Sequence, residues 1–355
     1  MTEAMKNLTF EDCKRSCNDP QIFSMLKDQS ILVTGGTGFM GKWIAEMISY
    51  INKTKDFNIK LYLLGRDIER FKYEVPHLAQ MPFINLLEQD VRNVNDLPIN
   101  ITYIIHAAGS PDNRDHVSLP LRTIETFYKG TLAILDAASR LPDLKKIIHI
   151  SSHQVYGKNH SQEMIHEHFL GTLDLNNISQ TYAESKRVSE TLCSIYRSKL
   201  KLPIVILRPF AFIGPYQDLE KPWAINNFIR DAILGGPIRI IGNGLTVRSY
   251  LYASDMANWL LKALLDGQTG ETYNLGSKEG ISLDDLALKV KNSINQSIEI
   301  LSKSSKESYS NLSRLVPDTS KIVKALNVEE NYNIEDAINR TIVWNQLNRS
   351  NINII

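Results

Sequence analysis

Tyr182 and Lys186 stand four residues apart in Tyr182-Ala183-Glu184-Ser185-Lys186. On a helix that spacing puts phenol and ammonium on one face. A free tyrosine titrates near pH ~10 and is a poor base at neutrality, but a neighbouring cation stabilises its phenolate. The pair is therefore suited to taking a proton from an alcohol, although the same spacing arises where an aromatic ring packs beside a surface lysine. Ser152 follows the apolar run Ile147-Ile148-His149-Ile150 and has a hydroxyl able to share a proton with Tyr182. A third element, Ile31 to Gly41, is an apolar run that breaks into Gly35, Gly36, Gly38 and Gly41. Glycines permit a sharp turn and close approach of a ligand. The N–H groups and dipole of a helix opening there suit a pyrophosphate. A glycine turn without its context equally suits a plain loop.

The elements around these residues supply that context. Ser30 to Thr34, Lys60 to Leu64, Ile84 to Leu87, Tyr103 to His106, Lys146 to Ser151 and Ile204 to Leu207 are short, nearly continuous apolar runs. They read as strands buried on both faces of a parallel sheet. Helical periodicity lies between them, over Gly41 to Tyr50, Leu119 to Leu141 and Thr181 to Leu200. This alternation predicts an α/β fold, a doubly wound parallel sheet of Rossmann type. Ligands of such sheets bind beyond the carboxyl ends of the strands, where both the glycine turn and Ser152 emerge. After Arg208 the prolines and glycines at Pro209, Gly214, Pro215, Pro222, Gly235, Gly236 and Pro237 mark loops and a smaller C-terminal lobe. The expected organisation is a helical extension over 1–28, a dinucleotide-type domain over 29–207, and a substrate lobe over 208–355. Residues near 246–262 are expected to return to the first domain.

Forty Lys and Arg against 39 Asp and Glu give a net charge of +1, so no imbalance points to nucleic acid or an anionic membrane. No run approaches the ~20 apolar residues of a membrane span, and Glu3, Glu11 and Asp12 do not fit a signal peptide. Three cysteines, Cys13, Cys17 and Cys193, read as reduced thiols of a cytoplasmic protein. His160, His166 and His168 read as loop histidines rather than metal ligands, and no metal is expected. The loop around Ser161 to Ser179 is expected to border a cleft. Trp223 suits either a ligand contact or packing within the lobe.

The motifs together resemble one family. Gly35-x-x-Gly38-x-x-Gly41, His106-Ala107-Ala108-Gly109, Ser152-x-x-x-Tyr156-Gly157 and Tyr182-x-x-x-Lys186 occur in the order and spacing of extended short-chain dehydrogenases/reductases, in their nucleotide-sugar epimerase/dehydratase branch. The resemblance runs from about residue 29 to 330. Later segments share in it: Arg208-Pro209, Gly214-Pro215-Tyr216, Asn226-Asn227-Phe228-Ile229, Gly242-Asn243-Gly244, Arg248-Ser249-Tyr250, Asp255 and Arg314 to Lys321. It implies that Ser152, Tyr182 and Lys186 are catalytic, with His153 a further candidate. It places Gly35, Thr37, Gly38, Phe39, Met40, Gly41, Ala107, Ala108, Gly109, Ile150, Pro209 and Phe210 around a nicotinamide cofactor. Asp90 and Val91 would flank its adenine, and Tyr182 and Lys186 would also touch it. Asn227, Arg248 and Arg314 would face a nucleotide-diphosphate sugar, Arg248 gripping the diphosphate. A homodimer pairing the helices 119–141 and 181–200 is implied as well.

The implied chemistry is oxidation of a sugar hydroxyl to a ketone, which acidifies the neighbouring C–H bonds. The 4,6-dehydratases carry an Asp-Glu pair directly after the serine or threonine, and sugar decarboxylases a Glu two places on. Here those places hold His153 and Gln154. An amide is neither acid nor base, so epimerase or keto-sugar reductase chemistry leads, with dehydratase or decarboxylase chemistry as the alternative. A non-catalytic redox sensor is a reading of another class, against which the complete Ser152, Tyr182 and Lys186 set argues. Phe127 stands where the family often has Asn. At the end of the second strand, Gly65 replaces the acidic residue of NAD-preferring members and Arg66 follows. That favours NADP, with NAD open if Asp67 substitutes.

Overall fold

A computed structural model describes residues 1–157, 163–242, 244–302 and 313–352. His160, Ser161 and Asn243, named above, lie outside the described residues. The first half runs α1 (Glu3–Ser16), β1 (Ser30–Thr34), α2 (Phe39–Lys55), β2 (Lys60–Gly65), α3 (Ile68–Glu74), α4 (Pro76–Ala79), β3 (Ile84–Glu88), β4 (Tyr103–His106), α5 (Asn113–Ser118), α6 (Pro120–Ala138) and β5 (Lys146–Ile150). There follow α7 (Thr181–Leu200), β6 (Ile204–Pro209), β7 (Ala211–Ile213), α8 (Ala224–Ile233), β8 (Ile238–Ile240) and β9 (Val247–Tyr252). The chain continues through α9 (Ala253–Asp266), β10 (Thr272–Leu275), β11 (Gly280–Ser282), α10 (Leu283–Ile294), β12 (Ile300–Ser302), β13 (Arg314–Leu315), α11 (Ser320–Leu326) and α12 (Ile334–Ile352).

Seven parallel strands form the main sheet in the order β10-β6-β5-β4-β1-β2-β3. The order reverses between β1 and β4, which opens a crevice at their carboxyl ends. β1 is buried at every residue because helices cover both faces. On one face Ile31 and Val33 pack in a core with Trp43 and Met47 of α2 and Met256 and Leu260 of α9. On the other, Leu32 and Ile104 pack with Ile134 and Leu135 of α6. Each such fully buried side chain contributes roughly 1.5–3 kcal/mol relative to exposure.

The predicted strands are present with ends shifted by a residue or two, while the seventh, β10, was not anticipated. Helix α2 continues five residues past Tyr50 and ends at Asp56 in the left-handed conformation (φ 53°). A smaller sheet, β11-β9-β13 with β7 beside β9, builds the lobe, and β8 pairs with β12. Its own core joins Phe228 and Ile229 of α8 to Leu286 and Val290 of α10 and Ile338 of α12. The N-terminal segment is part of the main body: Cys13, Cys17, Phe23 and Leu26 are buried in the core of α2 and α9. Among the described residues, no helix is long and apolar enough to cross a membrane.

Candidate active site

The turn after β1 has no room for side chains. A Cβ on Gly35, where φ is +68°, would lie 2.9 Å from the Ala107 carbonyl oxygen; one on Gly41 would lie 2.1 Å from that of Gly36. The Gly38 amide donates to the Gly35 carbonyl across 3.0 Å. Gly38 then precedes α2 without any side-chain cap, so the first amides of a seventeen-residue helix are left to a ligand. This cradle fits the pyrophosphate of a dinucleotide. Thr37 packs where a Cβ on Gly65 would sit 2.6 Å from its hydroxyl, so glycine at the end of β2 follows from the close approach of the turn. Phe39 stacks on Phe212 at 6.4 Å, and Met40 packs against the main core. The amides of Ala107 and Ala108 both donate to Thr34 Oγ1 at 3.2 Å, which ties β4 to β1 at the crevice.

Past β2, Arg66 is exposed, and among the described residues it has no ion-pair partner. Asp67 caps α3, its carboxylate accepting the Arg70 amide at 2.9 Å. Its oxygen is therefore engaged locally. Asp90, after β3, binds Arg92 through both oxygens at 3.0 and 2.8 Å, and that pairing holds its carboxyl down at about 2. Val91 packs on Gly130.

Helix α7 runs along the far side of the crevice. Burial pushes the Tyr182 phenol up to about 12, and its hydrogen bond with Ser152 pulls the other way. Lys186 donates to the Ile150 carbonyl at 2.6 Å, and burial lowers it to about 7. Its ammonium sits 4.4 Å over the Phe127 ring and 5.8 Å from that of Tyr182. Phe127 itself meets Tyr182 edge-on at 5.1 Å. It occupies the space a Cβ on Gly109 would need, 2.1 Å from Cε1. The structure thus brings Ser152, Tyr182 and Lys186 together. The lysine does not offset the burial of the phenol: desolvation of the ring is the larger effect.

Sequence reasoning missed His116. Its ring lies face to face with Tyr182 at 4.2 Å and 7°, carried by the short helix α5. Nothing in Asn113-Arg114-Asp115-His116 signals that placement. His153 is half-buried, its Nδ1 donating to the Pro209 carbonyl at 3.1 Å and its ring stacked on Phe210 at 5.1 Å. Burial lowers it to about 4. It is therefore a neutral imidazole with Nε2 left as an acceptor. Phe210 belongs to a small core with Tyr156 and Ile165. Tyr156 is structural, donating to Asn274 Oδ1 at 2.5 Å.

Arg248 lies on β9 beside Leu315 of β13 and Ile281 of β11. Its guanidinium donates to the Val247 and Ser313 carbonyls at 2.8 and 3.1 Å. Among the described residues no carboxylate balances it, and burial lowers its pKa. On β13, Arg314 keeps a buried Nε without a protein partner. Two under-paired guanidiniums on adjacent strands suit a diphosphate. By contrast Arg208 is spent on Glu190, with two contacts of 2.9 and 2.7 Å. Asn227 is half-buried on α8, one turn from Trp223, whose carbonyl accepts its amide.

Comparison with known proteins agrees with this arrangement. UDP-glucuronic acid decarboxylase 3 of Arabidopsis thaliana is 30% identical over 273 residues, 76% of this chain and 76% of that protein. The Bordetella bronchiseptica enzyme WbmF in complex with NADH superposes with a TM-score of 0.75 at 22% identity, covering 93% of this chain and 95% of its own. The Bacillus cereus UDP-glucuronic acid 4-epimerase, solved with UDP-glucuronic acid and NAD, gives 0.76 at 22%, covering 90% and 100%. Those two share the fold. The profile of the NAD dependent epimerase/dehydratase family matches residues 31–276. With more than two thirds of its length inside that match, the chain belongs to the NAD dependent epimerase/dehydratase family.

Proposed function

We propose that this protein oxidises a hydroxyl of a nucleotide-diphosphate sugar to a ketone and completes an epimerisation or keto-sugar reduction. The observation that carries this reading is the Ser152, Tyr182 and Lys186 group, assembled with His153 and Gln154 where an acid–base carboxyl pair would stand. A bound nicotinamide cofactor supplies the hydride acceptor and, once reduced, the hydride donor. Tyr182 takes the hydroxyl proton and returns it to the ketone oxygen. Ser152 holds that oxygen, and Lys186 favours the phenolate. Elimination of water requires an acid at the leaving hydroxyl, and a neutral His153 anchored on Pro209 does not supply one. Epimerisation requires only the tyrosine, the hydride and room for the ketone to turn.

Decarboxylation of a UDP-glucuronate-type sugar is a second reading, favoured by the decarboxylase relative. The test is to incubate the protein with NADP+ or NAD+, and separately with their reduced forms, and a panel of nucleotide sugars, UDP-glucuronate and UDP-glucose among them, and follow products by NMR; net consumption of reduced cofactor marks a reductase. An inverted hydroxyl without net cofactor use supports epimerisation. A pentose product with carbon dioxide transfers the assignment to decarboxylation. Activity in Tyr182→Phe would refute both.

The cofactor reading leans to NADP, because Arg66 is exposed beside the adenosine end of the cradle while Asp67 is engaged as a helix cap. Arg66→Ala should weaken NADP binding and leave NAD unchanged; equal loss for both removes the argument. A homodimer is supported by exposed apolar residues at helical spacing, Leu121, Ile124 and Tyr128 on α6 and Val188 and Ile195 on α7. Light scattering that gives a monomer mass would sink it. The buried free thiols support a cytoplasmic location.

A further inference from the structure

The Tyr182 ring is fixed from two directions, by the edge of Phe127 and by the face of His116. His116 is buried, and Nε2 lies 2.8 Å from the Ser110 carbonyl. That carbonyl can only accept, so Nε2 donates and the ring plane is set by the loop before α5. The helix is itself anchored by Asp112, which caps it by accepting the Arg114 amide at 3.0 Å. The same buried carboxylate pairs with Arg114 at 2.8 Å and with Lys221 at 3.0 Å. Lys221 belongs to the segment that leads into the lobe, two residues before Trp223, the N-cap of α8. A continuous set of contacts therefore runs from the lobe through Lys221, Asp112 and His116 to the tyrosine.

We propose that His116 is a positioning residue for Tyr182, holding the ring plane that aims the phenol at Ser152, and that the Lys221–Asp112 pair ties its placement to the lobe. The proposal rests on Tyr182 being the acid–base of the reaction. It acts by shape, not by proton transfer: with its Nε2 hydrogen on Ser110, the imidazole presents a flat face and no acid to the phenol. The groups facing it are Asp112 and Asp115 from its own segment, Lys186 and Tyr182 from α7. Loss of a stacked aromatic partner is expected to cost about tenfold in rate.

The experiment compares wild type, His116→Ala, His116→Phe, Lys221→Met and Tyr182→Phe as full-length enzyme loaded with whichever of NADP+ and NAD+ wild type binds more tightly. One readout is kcat and KM on the nucleotide sugar turned over in the panel above. The second needs no substrate: a near-ultraviolet tyrosinate titration, with Tyr182→Phe subtracted to isolate Tyr182. His116→Ala should lower kcat about tenfold with KM within about twofold. It should also move the Tyr182 titration to lower pH, because water reaches the ring. His116→Phe, which keeps a flat ring, should restore kcat to within about threefold. Lys221→Met should shift both readouts in the same direction and by less. Wild-type kcat and titration in His116→Ala overturn the proposal, as does a loss that His116→Phe fails to rescue. If His116→Ala does not fold, His116→Gln, which keeps a donor for Ser110 but no ring, is read by the same criteria. An active Tyr182→Phe refutes the underlying reading of the site; an inactive one beside an unaffected His116→Ala refutes the positioning proposal alone.

Discussion

Replacing Arg248 by Met separates a ligand-binding arginine from a structural one, because the two make opposite predictions for stability. Arg248 holds a half-buried guanidinium on two backbone carbonyls, 2.8 and 3.1 Å away, with partial desolvation depressing its pKa. Removing a charge from water costs several kcal/mol, and each hydrogen bond returns about 1 kcal/mol net. Met has similar length and no charge to desolvate. Arg248→Met should therefore leave the free protein unchanged or about 1 kcal/mol more stable, a rise in melting temperature of about 1 °C given an unfolding entropy proportional to chain length. The ligand experiences the reverse. A diphosphate that supplies the missing anion loses charge-assisted bonds of about 1.5–3 kcal/mol in the variant. Its dissociation constant should rise by about 10- to 150-fold. Calorimetric titration with UDP measures the second quantity, and thermal unfolding without ligand the first. A variant that melts several degrees lower and binds UDP as wild type does would show that Arg248 is a strut of the β9 sheet and that the diphosphate sits elsewhere.

Two further outcomes follow from the geometry. Gly41→Ala forces a Cβ to within 2.1 Å of the Gly36 carbonyl, inside the dinucleotide cradle; NAD+ affinity measured by calorimetry should fall at least about tenfold while the helical circular-dichroism signal persists, and retained affinity would refute the cradle. Asp90, held at about 2, and Asp112, held below the ordinary carboxylate range first by Arg114 and also by Lys221, both have folded pKa values under their unfolded ones. Their contribution is thus complete above about pH 4 and lost as pH falls toward 2. Melting temperature against pH should show a flatter acid limb in Asp112→Asn than in wild type, and parallel limbs would contradict the pairing.

The main sheet was legible because its strands are continuous apolar runs, a pattern that burial on both faces requires. β10 was not, since Tyr273 and Asn274 break the run. Asn274 is buried there because its side-chain amide donates to the Ile165 and Asp318 carbonyls, partners over forty residues away. The grouping of Ser152, Tyr182 and Lys186 was legible through the spacing of two of them along one helix and the place of the third after a strand. The N-terminal segment reads from sequence only as a helical extension. In the fold Asp12 accepts from Tyr252 and Tyr332 at 2.7 and 3.0 Å and pairs with Arg340, and Ser16 donates to Asp255 at 2.7 Å. No local pattern encodes contacts separated by more than two hundred residues. Helix α5 is likewise explained only by distant partners, Tyr182 stacked on His116 and Lys221 paired with the Asp112 cap.

The N-terminal segment and α5 are tied into the fold by ionic contacts of different burial. Asp12 is fully buried and joins α1 to Tyr252, the last residue of the strand that carries Arg248, and to α12. Separating those groups would strand a buried carboxylate, which burial already raises to about 6, at a cost of about 3–5 kcal/mol. Lys221 is about one third exposed, and water can replace Asp112 as its partner at far smaller cost. Asp112 keeps Arg114 when Lys221 leaves. The Asp12 junction is therefore the costlier of the two to break, and the Lys221–Asp112 pair is the weaker tie between α5 and the segment that leads into α8.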